Sequence, residues 1–185
     1  MQKLISRLAA PFAARRRNRC VLEALYAPVM ASARHPALYA RLGVPDTVEG
    51  RYDMVMLHTY LVIDRLRGAG EAGQALAQDL FDHMFRDMDQ ALRELGVGDM
   101  GIGKRIQKMA SQFYGRAEAY DKGLAGSDEE LEDAVARNAY PATIPPAQGP
   151  AGLAAYMRRA RAHLSAIPLE DVVSGRISFP EVEVS

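Results

Sequence analysis

Apolar residues recur every three to four positions through most of this chain, the period of a helix packed along one side. Within Val21–Ala33, Leu22, Leu25, Tyr26 and Val29 form one such face. His35-Pro36 interrupts it, because a residue before proline is pushed out of the helical region. Pro36 then opens a short helix to about Leu42. Gly43-Val44-Pro45-Asp46-Thr47 is a break and a new start, with Asp46 or Thr47 as N-cap. From Val48 to Leu66 the residues Met54, Val55, Leu57, Leu61, Val62 and Ile63 surround the axis. A helix apolar on most sides belongs in the middle of a bundle.

Glu71–Leu95 carries the clearest stripe, through Leu76, Leu80, Phe81, Met84, Phe85, Met88 and Leu92, with charges opposite. Gly96-Val97-Gly98 ends it. A further amphipathic helix runs from about Gly101 to Leu124 through Ile102, Ile106, Met109, Phe113 and Tyr120. Ser127 and Glu130 form a capping box for a shorter helix to about Asn138. The four prolines of 141–150 mark a loop. Ala151–Leu164 is helical, and Pro168–Val173 gives one or two more turns. The last stretch, with Ile177, Phe179 and Val182, is divided by Pro180 and reads as either a docked extended tail or disorder. No period-2 run is long enough for a sheet. The fold class is therefore all-α, an irregular helical bundle of one domain. Its parts are a basic N-terminal arm (1–19), a helical domain (20–165) and a C-terminal tail (166–185).

Charge sharpens this picture. Lys+Arg and Asp+Glu both number 23 among 185 residues, so the chain lacks the cationic surplus of a general nucleic-acid binder. The imbalance is local: Lys3, Arg7, Arg15, Arg16, Arg17 and Arg19 precede the first acid, Glu23. Leu4, Ile5, Leu8 and Phe12 recur there at helical spacing, so the arm reads as a disordered basic segment, as a transit peptide, or as an amphipathic membrane-surface segment with Arg15, Arg16, Arg17 and Arg19 as candidate contacts to anionic lipid. No stretch reaches the ~18–20 apolar residues of a spanning helix. The lone Cys20 can neither staple the fold nor build a metal cluster.

Motifs of catalysis are weak. Gly96, Gly98 and Gly101 fit G-x-G-x-x-G, and Gly98, Gly103 and Lys104 fit the start of a P-loop. Both motifs need a strand entering the loop, and here a helix enters; Arg105 stands where the P-loop needs Ser or Thr. Helix end and turn explain the glycines. Lys104, Arg105 and Lys108 leave a small basic patch beside that turn. Asp79 and His83 are a possible ligand pair, yet no Glu-x-x-His supports a di-metal bundle. His58 lies in a largely apolar helix and needs a buried hydrogen-bond partner, with Asp53, Asp87 and Tyr114 as candidates. The sequence calls for no cofactor and no catalytic residue; the alternative reading is a small-molecule- or haem-binding helical protein using His58 or His83.

Tyr39-Ala40-Arg41-Leu42-Gly43-Val44-Pro45-Asp46-Thr47, Gly50-Arg51-Tyr52-Asp53 and Leu57-His58 together resemble the ubiquinol–cytochrome c reductase assembly chaperone family. So do Asp87-Met88-Asp89, Leu92-Arg93-Glu94, Gly96-Val97-Gly98-Asp99 with Gly103-Lys104, and Phe113-Tyr114-Gly115-Arg116. Their order from Tyr39 to Asn138 carries the match. The resemblance implies a non-enzymatic helper of cytochrome bc1 complex assembly that binds newly made cytochrome b or another bc1 subunit, with a small partner protein. The shorter chain resembles the bacterial branch, which implies the cytoplasm or the cytoplasmic face of the inner membrane; the alternative is the matrix side of the mitochondrial inner membrane. The densest resemblance places client contacts at Arg51, Asp53, Asp99, Lys104 and Arg105. Arg51 and Lys104 stand near helix starts, where the helix dipole disfavours cations, so a binding role is expected for them. Nine methionines suit an adaptable apolar surface.

Overall fold

The computed structural model describes the backbone of residues 2–96, 99–141 and 144–183, and the side chains of residues 18–96, 101–141 and 144–183. Its helices are α1 (Gln2–Ala33), α2 (Pro36–Ala40), α3 (Val48–Leu66), α4 (Gly70–Glu94), α5 (Asp99–Ala125), α6 (Asp128–Ala139), α7 (Gly149–Ala166) and α8 (Leu169–Val172). A 3-10 turn, Arg67–Ala69, joins α3 to α4. There is no strand among the described residues.

The girdle of apolar side chains on α3 puts that helix at the centre. Every residue from Asp53 to Val62 is buried. Helices α1, α4, α6 and α7 pack around it. Burying a large apolar side chain contributes about 1.5–3 kcal/mol, and α3 buries Met54, Leu57, Leu61 and Leu66 completely. The stripe on α4 turns inward as expected: Leu80, Met84, Phe85, Met88 and Leu92 are buried, while Leu76 and Phe81 are half-buried. On α5 the inward residues are Ile102, Phe113, Tyr120 and Leu124.

Most boundaries fall within two residues of the pattern. The exception is α1, where the segment expected to begin at Val21 is the second half of a helix that starts at Gln2. Thr47, not Asp46, caps α3, its Oγ1 accepting from Gly50 N–H at 3.1 Å. The capping box forms as read, Ser127 Oγ accepting from Glu130 N–H and Glu130 Oε2 from Ser127 N–H. Gly96 has φ 79° and makes the turn after α4.

Two arginines tie the second half of the bundle together by satisfying orphan carbonyls at helix ends. Arg158 of α7 donates to the carbonyls of Gly123, Leu124, Gly126 and Ser127, so it caps α5 and holds the α5–α6 turn. Arg65 of α3 donates to Leu164 O at 2.9 Å and Ile167 O at 2.6 Å, capping α7.

The chain beyond α8 is docked and extended. Gly175 and Val182 are buried, and Ile177 and Phe179 pack on the core.

Candidate client-binding cleft

The first turns of α3 are fixed by the loop before them. Gly50 lies so close to Pro45 that an added Cβ would fall 2.0 Å from the Pro45 carbonyl oxygen. Arg51 braces the outside of that loop. Its Nε donates to Asp46 Oδ1 at 2.7 Å, and its guanidinium carbon is 5.4 Å from the Tyr39 ring centroid. The cation that the helix dipole disfavours there thus has a local partner.

The inner side of the same turns faces α5 across a cleft of about 270 Å³. Met56, Leu92 and Met109 give it an apolar floor, and the exposed Glu49, Arg105 and Lys108 a charged rim. Arg105 Nη2 is 3.7 Å from Glu49 Oε1, an exposed pair worth about 0–1 kcal/mol. Lys108 has no ion pair among the described residues. At the inner end Asp53 pairs with Arg116; their side chains are only 10% and 13% exposed. Burial pushes the Asp53 carboxyl up from its ordinary range, and the Arg116 guanidinium opposes that shift. Met56 Sδ lies 4.0 Å from Arg116 Nη1.

Of the sequence-predicted client residues, the fold brings Asp53 and Arg105 to this cleft. The Asp53 carboxylate is committed to Arg116. Arg51 faces Asp46 and Tyr39 outside the cleft, and Lys104 is exposed beside it without a partner among the described residues. The side chain of Asp99 lies outside the described residues, as do those of Arg15, Arg16 and Arg17. Arg19 is exposed, 3.6 Å from Glu23. Sequence reasoning missed Arg116, Met56 and Gln112 as parts of one cleft. The signal available was a buried-face acid and a cation in two motifs of the same resemblance.

His58 is completely buried, and none of its expected partners reaches it. Nδ1 is 2.8 Å from Met54 O, and Nε2 is 2.9 Å from Tyr156 Oη. A carbonyl only accepts, so Nδ1 carries the proton and the Tyr156 hydroxyl donates to Nε2. Asp87 instead accepts from Tyr26 Oη at 2.9 Å. Tyr114 is 61% exposed, 5.5 Å from the Phe81 ring centroid. With both ring nitrogens engaged, His58 offers no ligand atom to haem. His83 packs edge-on against Tyr26 at 4.7 Å. Among the described residues no three His, Cys, Asp or Glu side chains converge to hold a metal ion.

A family model described as "Ubiquinol-cytochrome C chaperone" matches residues 40–179. The human ubiquinol-cytochrome c reductase complex assembly factor 1 is 24% identical over 161 residues, which are 86% of this chain and 54% of the human protein. The mouse protein of the same name is 22% identical over 149 residues, 80% of this chain and 50% of the mouse protein. The chain thus spans about half the length of these curated relatives. The crystal structure of the Cbp3 homolog from Brucella abortus superposes with a TM-score of 0.84 at 38% identity, covering 95% of this chain and 97% of that one.

Proposed function

The chain belongs to the ubiquinol-cytochrome C chaperone family, and from that premise we propose that it assists assembly of the cytochrome bc1 complex by holding newly made cytochrome b, without catalysis. The observation that carries the reading is the cleft between α3 and α5. It joins two segments where the resemblance is densest, and it combines a methionine floor with a charged rim in which Arg105 and Lys108 outnumber Glu49. Methionine is unbranched and adapts to irregular apolar partners. The rim cations orient a segment that carries acid beside apolar residues. Either another bc1 subunit or a small partner protein is an alternative occupant of the same chemistry.

The test is recovery of the client from native membranes with a tagged chain. Replacing both Arg105 and Lys108 by Ala is expected to lower cytochrome b recovery about tenfold, the effect of roughly 1.4 kcal/mol, and to reduce the bc1 level in cells. Melting should shift little, since surface substitutions usually stay within about 0.5 kcal/mol. A stable double variant that recovers cytochrome b normally would place the client elsewhere.

The basic arm supplies the location. No helix among the described residues is long and apolar enough to cross a membrane, so residence at the cytoplasmic face would rest on surface attraction. Arg15, Arg16, Arg17 and Arg19 each contribute about 1 kcal/mol near an anionic bilayer. Replacing all four by Gln is expected to release the full chain from vesicles rich in anionic lipid, and added salt should weaken the wild type in the same way. Equal binding of both proteins would remove the arm from this role.

A further inference from the structure

Residues 176–183 lie across the body as a strap. Gly175, with φ 84°, starts it; a Cβ there would meet the Ala24 Cβ at 2.8 Å and the Val21 carbonyl oxygen at 3.0 Å, so the chain enters pressed against α1. The Phe179 ring then covers His58 of α3, edge to face with centroids 5.0 Å apart. Ser178 Oγ is 2.9 Å from His163 Nε2 of α7. Glu181 Oε2 is 3.6 Å from His35 Nε2, and the Glu183 carbonyl accepts from Arg159 Nη2 at 3.3 Å. Three of the chain's four histidines therefore touch the strap, each from a different element.

What holds this segment is side chains. Among the described residues no backbone–backbone hydrogen bond ties 177–183 to the body; the Glu183 N–H bonds only to Glu181 O, within the strap. Its anchors are Ile177, Phe179 and the buried Val182, and no backbone ladder adds to them, so the segment opens below global unfolding. The strap's one aromatic ring lies on His58, and His163, His35 and Arg159 meet the residues on either side of it. The occupant answers with Phe179 on His58 and the Glu181 carboxylate beside His35.

We propose that this groove between α1, α3 and α7 is a second polypeptide-binding site, filled in the free chain by its own residues 176–183 and open, when these leave, to an extended partner segment with an aromatic residue and a carboxylate two positions after it. Complementary shape and charge recognise such a segment, and the strap competes with it in cis. The site is independent of the α3–α5 cleft and of which client that cleft holds.

Two measurements on the full chain test it. Native-state hydrogen exchange should show the amides of 177–183 opening well before the core amides of α3; exchange of both only through global unfolding overturns the proposal. A fluorescent peptide with the sequence of residues 174–185 should bind the Phe179→Ala chain at least tenfold more tightly than the wild type, because the cis competitor has lost its anchor. The same peptide with Glu181→Gln should bind more weakly, and equal binding overturns the carboxylate requirement. A folded Phe179→Ala chain that gains no peptide binding makes the strap an ordinary part of the core and overturns the proposal. If that variant does not fold, the exchange result on the wild type decides.

Discussion

Arg116→Ala is expected to lower the unfolding free energy by about 3–5 kcal/mol in urea titration. Removing one member of a buried ion pair leaves the other without compensation. Asp53 and Arg116 are both nearly out of water, and they join α3 to α5 across the inner end of the cleft. In the variant Asp53 must ionise without its cation or take up a proton, and burial already favours the protonated form. The loss is a large share of the ~5–15 kcal/mol that holds a typical domain folded. Asp53→Asn combined with Arg116→Met should recover most of it, because a well-packed neutral pair of similar volume avoids the desolvation cost. A loss below about 1 kcal/mol for Arg116→Ala would mean that water screens the pair.

The second large effect is a response to acid. Burial lowers the His58 pKa to about 4, with the hydrogen bond to Met54 O opposing the shift. The unfolded chain binds a proton at this residue near pH 6.5. Between these values the unfolded state holds more protons, so stability falls as pH falls through that window. The penalty is absent above about pH 6.5, grows toward pH 4 and then levels off, at a total of about 3 kcal/mol. Protonation would also put a hydrogen on Nε2, against the Tyr156 hydroxyl that donates to it. The check is urea unfolding at pH 7 and at pH 4.5. His58→Gln should start less stable but lose less on acidification than the wild type; parallel losses would assign the acid response to other groups.

The all-α class and the place of α3 were legible because a helix apolar on every side has nowhere else to go. The α4 stripe and the Ser127 capping box were legible because they are local. What depended on distance was not. His58 finds Tyr156, 98 positions away, and spacing within one helix says nothing of such a partner. Arg51 and Asp53 both read as client contacts, and their partners within the fold, Asp46 and Arg116, were not legible because a loop and a second helix bring them near. The strap was ambiguous because Pro180 and a short apolar pattern fit docked and disordered states equally well.

The central position of α3 also sets a timetable for biosynthesis. Its covering on one side comes from α7, through the His58–Tyr156 bond and the Arg65 bonds to Leu164 and Ile167, 99 and 102 positions later. A ribosome adding about 5–20 residues per second makes that stretch in roughly 5–20 s. From the time α3 emerges until α7 follows it out, this helix has one flank bare. Closing contacts so far apart in sequence is slow as well. A member of a chaperone family thus spends its own first seconds with apolar surface showing and its cover still untranslated.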